Sequence, residues 1–282
     1  MKIGNYQLLP IETSRFALDG GAMFGVVPQV IWRKTNPPDE FNRISMVTRS
    51  LLIQGEGKNI LVDTGNSNKI AKRFQDIYKI DFTSVNLISS LQKHNISPSD
   101  ITDVILTHLH FDHAGGSTYN DNGIIKPTFP NAKYYVQKDH LKLALNPTER
   151  DRASFLHEDF VPLQEHGVME LVEGEFEIFP GIHLILVHGH TNSQQLVKVS
   201  DDKNTMLFAG DLIPMSAHVP LPFIMGYDLR PLVTLEEKKK ILGPAYEEKW
   251  AIFFEHDPNT IAGTVTSNEK GFIFESPIQL DK

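Results

Sequence analysis

The chain has 282 residues, a formal net charge of −8 and no cysteine. Without cysteine, disulfides, thiolate-ligated zinc and thiol catalysis are excluded, and any metal must bind histidine or carboxylate side chains. The acidic balance, without a basic stripe, disfavours nucleic-acid binding, and no apolar run approaches the roughly 18 residues of a membrane span. Residues 1–10 lack a signal-peptide pattern. We therefore expect one cytoplasmic domain over residues 1–282, with no nucleic-acid or membrane partner.

Strand and helix patterns alternate along the chain, and no repeat or low-complexity linker is visible. In the first half, apolar and β-branched segments predict strands at residues 6–12, 15–18, 50–53, 59–62 and 103–106. Gly55-Glu56-Gly57 joins the third and fourth of these strands, as is typical of a hairpin. Apolar residues in steps of three predict a helix over residues 85–95. The second half adds strands at 133–136, 182–187, 195–199, 205–208, 251–254 and 271–274, and helices at 139–145 and 235–249.

The strand predicted at 103–106 runs directly into a histidine cluster with the spacing H-x-H-x-D-H. The cluster consists of His108, His110, Asp112 and His113. Imidazole and carboxylate are ligands that suit Zn²⁺ and similar divalent metals. We expect the first two histidines to face one way and the Asp-His pair the other, so that the cluster serves two metals. Its internal position after a strand excludes an affinity tag.

Three later predicted strands also end at polar residues that could bind metal. The residues that follow them are His190, Asp211 and His256. Ligands on loops at strand ends have rigid supports and can leave a coordination position open for substrate. The sequence therefore predicts one site built from four strand ends.

This series of motifs resembles the metallo-β-lactamase-fold hydrolase superfamily. The matching motifs extend from Asp63, in Asp-Thr-Gly, through Gly-His-Thr and Gly-Asp to His256. The resemblance implies an α/β fold, a four-layer αβ/βα sandwich with the site at one edge between two sheets. It also implies two divalent metal ions per chain, with zinc expected first, although manganese, iron, cobalt and nickel suit the same ligands.

The resemblance further implies a role for each candidate ligand. The first metal would be bound by His108, His110 and His190, the second by Asp112, His113 and His256, and Asp211 would bridge them. Asp63 would orient a ligand histidine from behind. Asp112 and Asp211 would also serve catalysis, Asp112 by carrying a proton. A turn or helix cap is the alternative role for Asp63 and Asp211.

The remaining histidines are not predicted to bind metal. His188 is expected to pack or hydrogen-bond beside its loop, because it lies two residues from His190 on an alternating strand end. His218 follows Asp211 by seven residues and could reach the substrate pocket. Solvent-facing positions are expected for His94, His140, His157 and His166.

Residues 19–28, followed by Trp32, point to one branch of the superfamily. This glycine-containing apolar segment resembles the corresponding segment of the YtnP-type quorum-quenching lactonases and of the methyl-parathion-hydrolase-like phosphotriesterases. Its Met23 and Phe24 would line the substrate pocket with His218; simple core packing is the alternative. Smaller acyl-homoserine lactonases have a tyrosine where this chain has Pro214, and Tyr227 is a candidate replacement.

The predicted function is a hydrolase that uses a hydroxide held between two metals. Lactones of the acyl-homoserine type are the first expected small-molecule substrates, with phosphotriesters as a second activity. A glyoxalase II-like thioester hydrolase is the alternative, although its usual basic C-terminal residues are missing here, and a non-catalytic metal-binding protein is a further one. The resemblance also implies a homodimer.

Overall fold

The computed structural model describes residues 1–280, and its strands form two large sheets and one hairpin. The first sheet contains, in spatial order, β1 (Lys2–Ile3), β2 (Tyr6–Asp19), β3 (Arg43–Gly55), β4 (Lys58–Val62), β5 (Asp103–Ile105), β8 (Lys133–Gln137) and β9 (Met169–Val172). The hairpin consists of β6 (Thr118–Asp121) and β7 (Ile124–Pro127). The second sheet contains β10 (Phe176–Phe179), β11 (Ile182–Val187), β12 (Gln194–Ser200), β13 (Thr205–Phe208), β14 (Ala251–Phe253), β15 (Ala262–Asn268) and β16 (Gly271–Ile278).

Within residues 1–280, seven α-helices connect or cover these strands. They are α1 (Gly20–Phe24), α2 (Gln29–Trp32), α3 (Lys72–Ile77), α4 (Leu87–Gln92), α5 (Lys138–Leu145), α6 (His157–Glu165) and α7 (Pro231–Glu247). Single 3₁₀ turns lie at Pro98–Asp100, Gly115–Ser117, Arg152–Ser154, Gly210–Leu212 and Ser216–His218. Within residues 1–280 no helix combines the length and apolar character needed to cross a membrane.

Alternation along the central strands divides the core into layers. In β4, Ile60 and Val62 face the second sheet, whereas Leu61 faces the helices on the opposite side. In β13, Phe208 faces the first sheet and Leu207 faces α7. Successive side chains of a strand point to opposite faces, so a strand buried on both faces is apolar throughout.

Helices cover the outer face of each sheet. Residues of α4, α5 and α6 pack on the first sheet, and Ile241, Leu242 and Ala245 of α7 pack on the second. The order is therefore helix, sheet, sheet, helix, and the predicted four-layer αβ/βα fold is confirmed.

Strand direction brings several loops to one edge of the sandwich. β4, β5, β8 and β9 run parallel to one another, and β13 runs parallel to β14. β11 has the same direction as β13, because each is antiparallel to β12. Within each sheet, parallel strands deliver the loops that follow them to the same edge.

Most predicted strands occur within one or two residues of their predicted bounds. Residues 6–12 and 15–18, predicted as two strands around a turn, are one strand, because a bulge between Glu12 and Ser14 absorbs the irregular pattern. The helix predicted over 85–95 covers only Leu87–Gln92, after the N-cap Asn86. The helix predicted from residue 235 begins earlier, with Pro231 in its first turn.

Candidate metal centre

Asp63 connects the end of β4 to the histidine cluster. Its backbone is left-handed (φ 56°), a conformation that aspartate tolerates better than most residues. Its carboxylate accepts the Thr107 backbone N–H at 2.7 Å and the Thr107 hydroxyl at 2.6 Å, and lies 3.0 Å from His113 Nδ1. Asp63 is fully buried. It therefore contacts the cluster in the way that its predicted orienting role requires.

One group of potential ligands contains His108, His110, His190 and Asp211. His108 Nε2 lies 3.0 Å from His110 Nδ1, and His190 Nε2 lies 3.3 Å from the same atom. Asp211 Oδ2 is 3.1 Å from His190 Nε2. One donor atom from each residue lies within 4.8 Å of all the others. A single ion could therefore contact all four residues.

A second group contains Asp112, His113 and His256, whose donor atoms also lie within 4.8 Å of one another. The Nε2 atoms of His113 and His256 are 3.2 Å apart, and each is 3.8 Å from an Asp112 carboxylate oxygen. Asp211 lies between the two groups, with Oδ1 3.1 Å from His256 Nε2. This is the geometry of a candidate two-metal centre bridged by one carboxylate.

The outer ring nitrogens fix how three of the imidazoles face the centre. His190 Nδ1 is 2.9 Å from Asp228 Oδ1, and His256 Nδ1 is 2.9 Å from the Val47 carbonyl oxygen. With the His113–Asp63 contact, each of these three Nδ1 atoms faces an acceptor, and each Nε2 atom faces inward. His110 Nε2 is buried and has no hydrogen-bond partner among the described residues. Converging lone pairs and carboxylates fit divalent cations.

The electrostatics of the centre favour bound cations. Burial lowers the pKa of His108 and of His110 well below 6.5, so these rings are neutral and able to bind metal. Burial opposes charge on His256 as well, but the Asp211 carboxylate outweighs it and raises the pKa of His256 to about 9. Burial disfavours the charged form of Asp211 too, yet the surrounding imidazoles hold the pKa of Asp211 well below 3.8. Protons and metal ions therefore compete for the same nitrogens.

Five of the seven candidate ligands line a cavity of about 370 Å³, namely His110, Asp112, His190, Asp211 and His256. Apolar side chains line part of its wall: Leu18, Met23, Met46, Phe111, Met225 and Leu229. Tyr78, Arg150 and Tyr227 add polar groups. A mainly apolar pocket with a few converging polar groups is typical of small-molecule sites, and this volume falls within their usual range.

Only one of the three predicted pocket residues lines this cavity. Met23 does so, whereas Phe24 is fully buried and stacks between Trp32 and His218, with ring centroids 5.3 and 4.6 Å away. His218 Nε2 donates to the Met23 carbonyl oxygen at 2.8 Å. The predicted placement of Phe24 and His218 in the pocket is therefore corrected, because both pack behind the wall that Met23 presents.

The chain matches the family model described as the metallo-beta-lactamase superfamily over residues 46–256. The chain belongs to this superfamily. This confirms the predicted superfamily.

Relatives within the superfamily are hydrolases that act on ester bonds. An N-acyl homoserine lactonase of Bacillus thuringiensis is 27% identical over 219 residues, 73% of this chain and 79% of the relative. A probable metal-dependent hydrolase from Staphylococcus aureus has a TM-score of 0.88 and 28% identity, covering 99% of this chain and all of that one. AidC, a dizinc quorum-quenching lactonase solved with its product, shares the fold, with a TM-score of 0.81, 24% identity and coverage of 99% and 97%. The predicted enzyme class, a metal-dependent hydrolase, is confirmed.

Two acidic residues beside the candidate ligands were not predicted. Asp228 contacts His190 Nδ1, and Glu255 Oε2 lies 3.1 Å from His113 Nδ1. Glu255 directly precedes the predicted ligand His256, and this adjacency is the sequence signal that could have identified it. Asp228 lies in a long loop with no distinctive spacing, and only tertiary structure brings it to His190.

His140 was predicted to face solvent and is in fact buried. Its Nε2 accepts the Leu109 backbone N–H at 2.8 Å, and its Nδ1–H donates to the Asn192 carbonyl oxygen at 2.7 Å. It therefore links the two loops that hold His108 and His190. His188 matches its prediction, because its Nδ1 accepts the Ser193 backbone N–H at 3.2 Å and it lies in neither ligand group.

Proposed function

We propose that this protein hydrolyses lactones, with N-acyl homoserine lactones as the first substrate class. The observation that carries the proposal is the pair of ligand groups, with Asp211 in contact with His190 of one and His256 of the other, at a cavity with an apolar wall. An apolar wall beside a hydrolytic centre suits a substrate whose ester group carries an acyl chain. The N-acyl homoserine lactonases related over 73% of the chain support the same substrate class.

The seven candidate ligands would hold two divalent ions, with zinc as the first choice. Bound there, such ions would lower the pKa of water towards 7 and polarise an ester carbonyl. In this hydrolysis, water adds to the lactone carbonyl carbon, the ring C–O bond breaks and the ring oxygen takes a proton from the water. Asp112 lines the cavity and is proposed to carry that proton. Asp63 and Asp228 keep the ligand histidines oriented.

Tyr227 is proposed to hold the lactone carbonyl oxygen through its phenol. The residue lines the cavity and is 39% exposed, and partial desolvation in the cavity raises its pKa above the usual value of 10, so the phenol stays protonated and can donate a hydrogen bond. Tyr227→Phe is expected to lower kcat/KM for a lactone about tenfold, the effect of one hydrogen bond of ordinary strength. Tyr119→Phe, at a similarly exposed position outside this cavity, is the control and should behave as wild type.

The decisive experiment is a substrate panel on the zinc-reconstituted enzyme. We expect N-acyl homoserine lactones to give the highest kcat/KM, above aryl phosphotriesters and glutathione thioesters. His110→Ala and Asp211→Ala should lose metal and activity together, whereas His166→Ala, in an exposed loop, should lose neither. Faster turnover of thioesters than of lactones would identify thioesters as the substrate class. Absence of turnover on all three classes would favour a non-catalytic metal-binding protein.

The overall organisation is also a proposal. We propose that residues 1–282 form one domain, because strands from both ends of the chain belong to the two sheets that enclose the common core. We also propose a homodimer located in the cytoplasm. Light scattering of the purified protein tests the dimer directly.

A further inference from the structure

Lys238 is a buried lysine on α7, with a fully inaccessible side chain. Its ammonium group donates to backbone carbonyl oxygens of one loop: His218 at 2.6 Å, Pro220 at 2.8 Å and Phe223 at 3.0 Å, with Leu221 at 3.4 Å. An ammonium has three protons, so these carbonyls use its full donor capacity. The whole polar end of Lys238 is therefore occupied by the loop.

The loop, residues 218–227, forms part of the cavity wall, and we refer to it as the wall loop. Residues 219–230 contain neither helix nor strand. Met225 and Tyr227 of the wall loop line the cavity. Buried carbonyl groups outside regular structure need donors from elsewhere. Lys238 supplies donors that a helix or sheet would otherwise provide.

The same face of α7 also supports the metal-ligand loop. Thr234 Oγ1 donates to Asp228 Oδ2 at 2.6 Å, and Asp228 in turn contacts His190. The Glu237 carboxylate accepts the backbone N–H groups of His188 and Gly189 at 2.6 and 3.0 Å. Thr234 and Lys238 are four positions apart and share one helix face. Thr234 and Glu237 therefore support the His190 loop, whereas the donors of Lys238 contact only the wall loop.

Lys238 has no acidic partner to account for its burial. Within residues 1–280, no carboxylate oxygen lies within 4.0 Å of its Nζ, and Asp228 is the acid whose charge acts on it. Burial lowers the pKa of Lys238 to about 7, whereas hydrogen bonds to carbonyl oxygens favour the charged form. Its hydrogen bonds therefore connect α7 to the wall loop, and within the described residues it forms no ion pair with a carboxylate.

We propose that Lys238 is a positioning residue that fixes the wall loop against α7 and thereby sets the affinity of the cavity for substrate. The inference rests on the proposed function only for the choice of substrate. Lys238 touches neither the candidate ligands nor the cavity. Asp228, which follows the wall loop and contacts His190, is held separately by Thr234. Removal of Lys238 should therefore loosen the wall loop without disturbing metal binding.

The test compares Lys238→Met and Lys238→Gln with Lys239→Met. Lys239 is the neighbouring exposed lysine, paired with Glu236, and provides the matched control. In Lys238→Met we expect amide hydrogen exchange in residues 218–227 to accelerate at least about tenfold. KM for the best ester substrate should rise about tenfold, with kcat within about threefold of wild type and bound metal unchanged. Lys238→Gln, which keeps two donors, should give intermediate values.

Two results would overturn the proposal. The first is exchange and KM in Lys238→Met equal to those of Lys239→Met. The second is a fall of kcat and metal content in parallel with the rise in KM, which indicates general damage to the fold. If Lys238→Met does not fold, the same comparison is made with Lys238→Gln. Hydrogen exchange needs no substrate, so it tests the wall loop even if lactones prove to be the wrong substrates.

Discussion

At the scale of single residues, Asp228 determines how His190 faces the metal centre. It accepts the His190 Nδ1–H at 2.9 Å and is itself held by the Thr234 hydroxyl. Partners of this kind behind a ligand histidine typically contribute ten- to hundredfold to metal affinity. We expect Asp228→Ala to weaken zinc binding by about that factor in a chelator competition titration. Asp202→Ala, at an exposed position, is the control; equal affinities in the two variants would contradict the predicted role.

A second residue-scale prediction concerns the pH dependence of stability and His218. Burial lowers the pKa of His218 from 6.5 to about 4 in the folded protein. Between these values the unfolded chain binds a proton that the folded chain does not, so stability falls as pH drops through this window. The loss between about pH 7 and pH 4 is about 3 kcal/mol for this group.

Urea unfolding of the metal-free protein at both pH values measures this effect. The variant His218→Gln can still donate to the Met23 carbonyl oxygen, and it should lose about 3 kcal/mol less than wild type on acidification. His157→Gln, at an exposed position, should behave as wild type. An identical acid response of all three proteins would show that His218 is not the group responsible.

At the scale of elements, α7 has both a structural and a site-supporting face. Leu242 is fully buried against the second sheet, whereas Leu232 on the same helix is 78% exposed. Leu242→Ala should lower the free energy of unfolding by about 2–5 kcal/mol, the cost of lost burial plus a cavity. Leu232→Ala should change it by no more than about 0.5 kcal/mol. Denaturant unfolding checks both values. Equal losses of stability in the two variants would contradict the assignment of Leu242 to the buried face of α7.

Elements with a regular pattern were predictable, and irregular ones were not. β11 and β13 match their predicted bounds because their residues are apolar except for His183 and Thr205. β2 was split in the prediction, because a bulge changes the alternation of side chains without ending the strand. β9 and β10 have largely exposed side chains and lack the apolar run that would indicate a strand.

At the scale of the whole molecule, the candidate metal centre connects the two sheets. His108, His110, Asp112 and His113 follow β5 of the first sheet, whereas His190, Asp211 and His256 follow strands of the second. Ions held between these residues would bind the folded chain and not the unfolded one. At a free metal concentration one hundred times Kd, such binding adds about 2.7 kcal/mol to stability.

Removal of metal should therefore lower the melting temperature. We expect a chelator to lower Tm by several degrees in wild type and readdition of zinc to restore it, as scanning calorimetry can measure. The chelator should shift the Tm of Asp211→Ala much less, because that variant lacks the carboxylate between the two groups. A Tm insensitive to chelator in wild type would show that bound metal does not stabilise the fold.

The sequence by itself determined the chemistry of the centre. The H-x-H-x-D-H spacing and the polar residues after later strands named seven candidate ligands, and the structure brings these seven together. Such motifs are readable because local spacing and strand direction control where those side chains point. Tertiary structure alone revealed Asp228 behind His190, the burial of His140 and the displacement of Phe24 and His218 from the cavity wall. Each depends on contacts between segments far apart in the chain, which no local pattern records.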